Sequence, residues 1–578
     1  MRISPDSSAA CIARSLAARG IDRVFALCGG HIMPIWMRLD AEGIRIVDVR
    51  DERAAVYMAH AHGELTGGVG VALVTAGPGV TNAMTGIANA HVARASVMVL
   101  SGTPPRPQEN RGALQDMSHT DFVRPLTRYA RTVREPALVL QELDEAFSRA
   151  QGHGGEPGPV FLDFPVDTLR AEVPSAVELP EFMLPRGRPR LLPDPAAIAQ
   201  AADLLWSARR PLVITGRGAR GTGGPQGPLC RLLDRLGALY LDTGESRGLV
   251  PESHPSVVAA MRGSVMGEAD LVVTIGRRLD FQLAYGSPAV FGDAKFLRIA
   301  DCPSELRDNR RGATEILASP ADALEALLAH AQGREPATDR GWAQAVRARH
   351  EGRADKLRDS LAQAPAGSDG LMHPNRLIAA LRDALPQDAI VVADGGDFLS
   401  FARVGLPAGT YLDPGPLGCI GIGTPFGVAA SLACPDRVVV VATGDGSFGF
   451  NAMEIDTAAR HQAPVLIVVA NNGSWAIEVR DQQETHGKVV GTRLQYADHA
   501  AMARAFGLHG ERVERAEDLP GAIQRALAHR PALLDVLVTP EAASSDAKSG
   551  LAWVPDLQAL GAWDQAEHAW RYQPRQED

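Results

Sequence analysis

Short apolar runs alternate along the chain with longer segments in which apolar residues recur at helical spacing. Strands that alternate with helices in this way are typical of parallel sheets covered by helices on both faces. We therefore predict an α/β fold of doubly wound parallel sheets. The runs that predict buried strands are VALVTAG (71–77), SVMVLSG (96–102), PVFLDFP (159–165), PLVITG (211–216), DLVVTIG (270–276), FLRIAD (296–301), AIVVADGG (389–396) and ALLDVLVTP (532–540).

Breaks in this alternation divide the chain into blocks. Prolines are dense from 174 to 195, as in an extended linker, and a polar, charged connector runs through 335–372. At 578 residues the chain is also too long for a single hydrophobic core. We predict three α/β domains and a C-terminal segment, with the bounds 1–175, 190–335, 370–542 and 543–578.

The first and third blocks resemble each other. Each contains a strand, a glycine-rich turn, the tripeptide Asn-Ala-Met, a helix and a second strand, with Asn82–Met84 matching Asn451–Met453. One shared tripeptide is weak evidence, but the shared frame around it favours an ancient duplication. Two related α/β domains in turn suggest one site shared between them.

The turn Gly444, Asp445, Gly446, Ser447 follows a buried strand and opens a helix, which is how α/β proteins hold phosphate. A carboxylate beside a phosphate is repulsive unless a cation such as Mg²⁺ bridges the two. Asn472 follows the next strand. Because adjacent parallel strands end at the same edge of a sheet, Asp445 and Asn472 can reach one ion. The alternative interpretation is a helix cap and an asparagine turn.

Gly-Asp-Gly, followed after a helix and a strand by Asn-Asn, resembles the cofactor motif of thiamine-diphosphate-dependent enzymes, and the resemblance covers nearly the whole chain. It implies a pyrimidine-binding, a middle and a diphosphate-binding domain, followed by a C-terminal lid segment. The resemblance implies Mg²⁺ ligands at Asp445, Asn472 and the backbone carbonyl of Ser474. It implies a diphosphate site on the 444–447 turn and on the loop DGGD (394–397), which contains Gly395, Gly396 and Asp397. Relatives often carry Asn or His where this chain has Asp397, so we expect only its backbone to contribute.

The resemblance also assigns roles near the reactive carbon of the cofactor. Thiamine diphosphate reacts as a carbanion, and forming it requires a shielded carboxyl at the pyrimidine ring. Glu52, which follows a strand and opens a helix, matches that acid; the alternative is an ordinary acidic residue at a helix N-terminus. Ile420 matches the apolar side chain that bends the cofactor. Loops that match those around the reacting carbon nominate Gly29, Gly30, His31 and Gln115, although His31 also fits a structural role.

Within the family the chain most resembles the branch of acetolactate synthase, oxalyl-CoA decarboxylase and 2-hydroxyacyl-CoA lyase. Synthases usually continue after Asn-Asn into Gly-Met and Gln-Trp-Gln, whereas this chain has NNGSWAIEVRDQQ (471–483). That segment, together with 395–403 and 544–564, is similar to bacterial 2-hydroxyacyl-CoA lyases. The resemblance implies cleavage of a 2-hydroxyacyl-CoA into a ketone or aldehyde and formyl-CoA. Glu478 is the candidate for moving the hydroxyl proton; the alternative is a solvated surface glutamate.

Composition restricts the classes of binding partner and the cellular location that we expect. A net charge of -10 is unfavourable for nucleic-acid or acidic-membrane surfaces. Six cysteines without a CxxC pair are typical of reduced residues. With no apolar signal core and no membrane-length apolar window, we expect a soluble, cytoplasmic protein.

The resemblance further implies an assembly and a second ligand. It implies a homodimer at minimum and a homotetramer as the expected state. The middle block resembles domains that bind ADP or FAD, so ADP or another nucleotide is a candidate ligand there. The competing functions are acetolactate synthase-like joining of 2-keto acids, oxalyl-CoA decarboxylation, and a nucleotide-binding regulator without chemistry.

Overall fold

The computed structural model describes residues 4–153, 155–173 and 190–544. Within these ranges the chain forms three parallel sheets, each flanked by helices, which confirms the predicted class of three α/β domains. The predicted C-terminal lid segment, from 545 onward, and most of the proline-rich linker lie outside the described residues. In the described part, every helix is too short or too polar to cross a membrane.

The first domain is built on a six-stranded sheet. Its strands are β1 (Arg23–Ala26), β2 (Arg45–Asp48), β3 (Gly70–Val74), β4 (Val97–Thr103), β5 (Tyr129–Thr132) and β6 (Val160–Pro165). Its helices are α1 (Ser8–Ala18), α2 (Met33–Ala41), α3 (Glu52–Thr66), α4 (Pro78–Ala93), α5 (His119–Val123), α6 (Val139–Ala150) and α7 (Val166–Arg170). The strand order is β2-β1-β3-β4-β6-β5. Strands β3 and β4 are buried at every position, which is why their sequences are continuous apolar runs.

The middle domain is built on a five-stranded sheet. Its strands are β7 (Pro211–Thr215), β8 (Leu239–Leu241), β9 (Leu271–Ile275), β10 (Lys295–Ala300) and β11 (Thr314–Leu317). Its helices are α8 (Pro195–Ser207), α9 (Pro228–Leu236), α10 (Arg262–Glu268), α11 (Pro288–Phe291), α12 (Pro303–Leu306) and α13 (Pro320–His330). The strand order, β11-β10-β9-β7-β8, is a doubly wound one in which the chain changes direction beside β7.

The connector to the third domain contains a long helix, α14 (Arg340–Ala362), where the sequence predicted only a polar, charged linker. Its buried residues are Ala343, Val346 and Leu361. So few buried positions on a charged helix leave little apolar periodicity, which explains why the pattern did not predict it.

The third domain repeats the architecture of the first. Its strands are β12 (Ile390–Asp394), β13 (Thr410–Leu412), β14 (Val439–Gly444), β15 (Val465–Asn471), β16 (His509–Val513) and β17 (Ala532–Leu537). Its helices are α15 (Pro374–Ala384), α16 (Asp397–Gly405), α17 (Gly423–Ala433), α18 (Asp445–Phe448), α19 (Glu454–Arg460), α20 (Ala476–His486), α21 (His499–Ala505) and α22 (Leu519–Ala528). The strand order, β13-β12-β14-β15-β17-β16, is that of the first sheet, strand for strand. This shared topology supports the predicted duplication.

The first and third domains of one chain pack directly on each other through α3 and α17. Tyr57 and His60 of α3 contact the ring of Phe426 edge-on, with ring centroids 6.2 and 5.0 Å apart. One continuous apolar cluster joins the two domains across this interface. The start of α3, where Glu52 lies, is therefore held by the third domain as well as by its own sheet.

Candidate active site

The three predicted metal ligands lie together at the carboxyl end of the third sheet. Strands β14 and β15 are parallel neighbours with Gly444 opposite Ala470, so both chains leave the sheet at the same edge. Oδ1 of Asp445 accepts the backbone N–H of Asn472 at 3.4 Å. Oδ1 of Asn472 accepts the backbone N–H of Ser474 at 3.0 Å and its hydroxyl at 3.1 Å. The predicted proximity of Asp445 and Asn472 is thus present in the fold.

Asp445 has the properties of a carboxylate built for a cation. Its side chain is buried, and its Oδ2 has no hydrogen-bond partner among the described residues. Burial raises the pKa of Asp445 to about 6. A buried carboxylate with an unsatisfied oxygen is destabilising unless a cation or a donor completes it. Carboxylate, amide and carbonyl oxygens are the donors that Mg²⁺ takes together with phosphate, so these residues fit the metal.

No group of three or more His, Cys, Asp and Glu side chains in the described part of the chain is placed to hold a metal ion. The predicted site is compatible with this finding because Asp445 is its only acidic member. Magnesium commonly takes one or two carboxylates and completes its shell with substrate phosphates and water.

Glycines bring the two halves of the predicted diphosphate cradle close together. A Cβ on Gly446 would lie 2.6–2.9 Å from the ring of Trp475, and a Cβ on Gly395, whose φ is +101°, would lie 2.9 Å from the Ser447 hydroxyl. A Cβ on Gly396 would lie 2.6 Å from Ile477. The backbone therefore lies close on both sides of the space predicted for the diphosphate.

The carboxylate of Asp397 has a backbone partner of its own. Its Oδ1 accepts the N–H of Ser544 at 3.0 Å, at the point where the chain leaves the third domain. This contact is compatible with the expectation that only the backbone of Asp397 faces a diphosphate.

Asp394, the first residue of the predicted diphosphate loop 394–397, organises the third-domain half of the site. It ends β12, is buried, and accepts the N–H groups of Gly395 at 2.7 Å, Gly421 at 3.1 Å and Gly423 at 2.8 Å. Burial raises its pKa to about 6. One carboxylate thus joins the diphosphate loop to the segment that carries the half-buried Ile420.

Glu52 is the first residue of α3 and is 6% exposed. Asp51 caps the helix by accepting the N–H of Arg53 at 2.8 Å. Oε2 of Glu52 accepts the side-chain N–H of Asn82 at 3.1 Å. Asn82 belongs to the Asn-Ala-Met tripeptide that the first and third domains share. That repeat marks Asn82 in the sequence, but it predicted only a duplication and not a contact with Glu52.

The loops that carry His31 and Gln115 meet beside the same sheet edge. Burial lowers the pKa of His31, and the neighbouring Gln115 side chain opposes that shift. Gly77 lies against Gln115, where a Cβ would be 2.9 Å from that side chain, and a Cβ on Gly29 would lie 2.3 Å from Thr75. Gly30 faces open space. The structure therefore brings Gly29, Gly30, His31 and Gln115 to the end of the sheet where Glu52 lies.

Glu478 lies in the first turn of α20 and is exposed in the single chain. Its neighbour Ile477 packs against Gly396 of the diphosphate loop. The predicted proton-transfer residue is thus beside the cradle, and its role stays a prediction.

A separate cavity of about 200 Å³ lies where the three domains meet. Its lining includes Arg94, Arg217, Glu245, Arg277, Glu305 and Asp413. Several of its arginines are paired with acids: Arg94 with Glu305, and Arg277 with Asp280 at 2.8 Å. Burial raises the pKa of Glu245 to about 7. Part of its wall is formed by two glycine- and arginine-rich loops of the middle domain, 215–224 and 275–282.

Together these features define an α/β protein of three domains, whose first and third domains share one strand order. Family models of thiamine pyrophosphate enzymes match all three: the N-terminal TPP binding domain at 7–122, the central domain at 198–327 and the C-terminal TPP binding domain at 394–536. The chain belongs to the thiamine pyrophosphate (thiamine diphosphate) enzyme family.

Similar proteins in this family carry two kinds of name. A probable acetolactate synthase of Mycobacterium bovis is 35% identical, over 92% of this chain and 96% of its own length. The 2-hydroxyacyl-CoA lyase 2 of Caenorhabditis elegans is 31% identical and that of Homo sapiens 30% identical, each over 91% of this chain and 89% of the relative. These relatives support an enzyme, and both named reactions are candidates for it.

Proposed function

We propose that the protein is a thiamine-diphosphate- and Mg²⁺-dependent carbon–carbon lyase. It would cleave a 2-hydroxyacyl-CoA into a ketone or aldehyde and formyl-CoA, and catalyse the reverse condensation. The observation that supports this reaction best is the segment after β15. Residues 471–483 carry Trp475 against the Asp445 turn and Glu478 in the first turn of α20. Acetolactate synthases usually carry Gly-Met and Gln-Trp-Gln there.

In this proposal the chain binds and orients the cofactor with residues of two domains. Thiamine diphosphate supplies a carbanion that adds to a carbonyl and then accepts electrons. Asp445, Asn472 and the carbonyl of Ser474 would hold Mg²⁺. Glu52 would share a proton with the aminopyrimidine, and Asn82 keeps its carboxyl oriented. The residues that would hold the diphosphate are Gly395, Gly396, the backbone of Asp397, Gly444, Gly446 and Ser447.

The remaining residues would act on the acyl-CoA substrate. His31 and Gln115, whose side chains are neighbours, would contact the carbonyl that reacts. Glu478 would take the proton of the 2-hydroxyl group as the C1–C2 bond breaks. Ile420 would support the bent shape of the cofactor from below.

The test is mass spectrometry for formyl-CoA after the protein is mixed with thiamine diphosphate, Mg²⁺ and a short-chain 2-hydroxyacyl-CoA. We expect formyl-CoA and the matching carbonyl compound in equal amounts, and neither from Glu52→Gln. Turnover of the 2-hydroxyacyl-CoA by Glu52→Gln at the wild-type rate would contradict the proposed role of Glu52.

The second candidate is the joining of two 2-keto acids, favoured by the 35% identity to the probable acetolactate synthase. Incubation with pyruvate would then yield acetolactate and carbon dioxide, without formyl-CoA. Oxalyl-CoA should be included, because its decarboxylation would also give formyl-CoA but no carbonyl co-product. Acetolactate formation in the absence of lyase activity would replace the proposed reaction with this one.

We also propose a homodimer at minimum, and a homotetramer of two such dimers. Large apolar side chains are exposed beside both halves of the site in the single chain, and a second copy would cover them. They include Met33, Leu114, Met117 and Phe122 in the first domain and Leu417, Phe450 and Met453 in the third. All six cysteines are unpaired, which supports the proposed cytoplasmic location.

A complementation experiment tests whether one active site uses two chains. Glu52→Gln and Asp445→Ala are each expected to be inactive. If the site combines Glu52 of one chain with Asp445 of another, a mixed dimer regains one intact site. Random pairing should then restore about a quarter of wild-type activity. No recovery in a mixture shown to contain mixed dimers would place both residues in the site of a single chain.

For the cavity between the domains we propose ADP or another nucleotide as the ligand. Its arginines and glycine-rich loops support this class of ligand. Calorimetric titration with ADP and with FAD, using Arg277→Ala as the control variant, tests it. Binding of neither nucleotide, or equal binding by the variant, would contradict the proposal.

A further inference from the structure

Glu454, a buried acid of the third domain, reaches across to the first domain. It begins α19 and is 0% exposed. Its Oε1 accepts the backbone N–H of Arg50 at 3.0 Å, although the two residues are 404 positions apart in sequence. Its Oε2 accepts the hydroxyl of Thr457 at 2.6 Å. The turn between β2 and α3 is therefore attached to the third domain through this carboxylate.

The surroundings of Glu454 make its charged form unfavourable and at the same time give its carboxyl several hydrogen bonds. Burial raises its pKa to about 7, repulsion from Asp51 acts in the same direction, and hydrogen bonds from Thr457 and from the backbone of Arg50 and Asp51 oppose both effects. An apolar side chain of similar volume often stabilises a buried position better than an acid does. The acid would then serve the protein by fixing the position of the backbone to which it is hydrogen-bonded.

That backbone leads directly to Glu52. The carboxylate of Glu454 holds the N–H of Arg50, the side chain of Asp51 caps α3, and Glu52 is the next residue. Displacing Arg50 therefore changes both the direction of the first turn of α3 and the position of the Glu52 carboxyl. Misplacing a catalytic group by about 1 Å can slow a reaction on the order of 10²-fold.

We propose that Glu454 is a positioning residue, which holds the Arg50–Asp51 turn so that Glu52 meets the aminopyrimidine of the cofactor. The inference rests on the proposed role of Glu52 and goes beyond it by assigning a new residue in the other domain. A second contact on the same turn joins Arg50 and Asp456 at 3.3 Å, and its arginine side chain is half exposed while Asp456 is 14% exposed. Such surface pairs contribute little, so Asp456 provides the matched control.

The variants distinguish two properties of the Glu454 side chain, its hydrogen-bond acceptor oxygens and its charge. Glu454→Leu removes the acceptor, Glu454→Gln keeps an oxygen for the N–H of Arg50 without charge, and Glu454→Asp keeps the charge but withdraws it by one methylene. Asp456→Asn leaves Glu454 in place and weakens the ion pairs of Asp456 with Arg50 and Arg460. We expect slower exchange of the C2 proton of bound thiamine diphosphate in the Leu and Asp variants, on the order of 10- to 10²-fold, and near-normal exchange in the Gln and Asp456→Asn variants.

The exchange is measured by NMR at saturating cofactor and Mg²⁺, together with the cofactor dissociation constant. The dissociation constant should change little, because the Asp445 turn is untouched. In cofactor-free protein, hydrogen–deuterium exchange should be faster at the amide of Arg50 in Glu454→Leu and unchanged in Asp456→Asn. If Glu454→Leu does not fold, the same measurements on Glu454→Asp test the positioning role of Glu454.

The outcomes separate the two proposals. Normal C2 exchange in Glu52→Gln would refute the role of Glu52 itself. Slow exchange in Glu52→Gln with normal exchange in the Leu and Asp variants would refute only the positioning role of Glu454. A loss of cofactor affinity as large as the loss of exchange would also refute it, because Glu454 would then act on the diphosphate half of the site.

Discussion

The first and third domains share a strand order but place their acids at different strand ends. In the first domain the buried acid of the site, Glu52, follows the second strand, and in the third domain Asp445 follows the third strand. In the third domain the acid after the second strand is Asp413, which lines the cavity between the domains instead. The shared topology determines which strand ends converge, whereas the residue at each end determines the chemistry found there.

The repeated asparagines show the same divergence. Asn82 donates its side-chain N–H to Glu52, whereas Asn451 donates to the backbone carbonyl of Gly421 at 2.7 Å. One asparagine therefore orients an acid, and its counterpart fixes the segment that carries Ile420. Equivalent residues of the two related domains thus occupy equivalent positions in the fold but have different hydrogen-bond partners.

The largest expected effect comes from the acid of the first domain. Glu52→Gln should reduce kcat about 10³-fold, because the amide cannot share a proton with the cofactor, while cofactor affinity changes only slightly. Steady-state kinetics and calorimetric titration measure the two quantities. Asp413→Asn, at the matching strand end of the third domain, should keep most of the activity. An equal loss in both variants would contradict our conclusion that only the first-domain acid acts on the cofactor.

The next effect concerns the acid of the third domain. Asp445→Asn should weaken the binding of thiamine diphosphate about 10- to 100-fold, since the proposed metal ligand loses its charge. Calorimetric titration at several Mg²⁺ concentrations checks this, and excess Mg²⁺ should recover part of the affinity. Unchanged affinity with reduced kcat would mean that Asp445 acts at the reacting carbon and not on the diphosphate.

The asparagine pair sharpens the comparison further. Asn82→Ala should lower kcat about tenfold, with a small change in Tm, because Glu52 loses its partner. Asn451→Ala should lower the free energy of unfolding by about 1–3 kcal/mol, because the carbonyl of Gly421 loses its donor. Kinetics and thermal denaturation on both variants test the pair, and identical profiles would show that their roles did not diverge.

The smallest expected effect depends on pH. The folded protein raises the pKa of Glu454 to about 7, above its ordinary value of 4.5, so its stabilising contribution is complete below about pH 4.5 and is lost as the pH rises through 7. The Tm of Glu454→Gln relative to wild type should therefore increase by a few degrees between pH 5 and pH 7.5. Thermal denaturation across this range checks it. The control Asp456→Asn should follow the wild-type curve, and a parallel curve for Glu454→Gln would contradict the shift.

The sequence predicted the central strands well and the edge strands poorly. Strands β4, β9 and β12 match the predicted runs to a residue or two, because strands buried on both faces are continuous apolar runs. Strands β5 and β16 were not predicted. They lie at sheet edges with mixed burial and charged residues, so their sequences carry no clear period.

By itself, the sequence determined the class of fold, the turn of Gly444–Ser447, and the spacing that brings Asp445 and Asn472 to one sheet edge. These follow from local patterns and from the rule that neighbouring parallel strands end together. Only the tertiary structure decided that Asn82 meets Glu52, that Asp394 joins two loops, and that Glu454 holds the turn before Glu52. Such hydrogen bonds join residues far apart in the chain, and their partners depend on how domains pack, which no local spacing encodes.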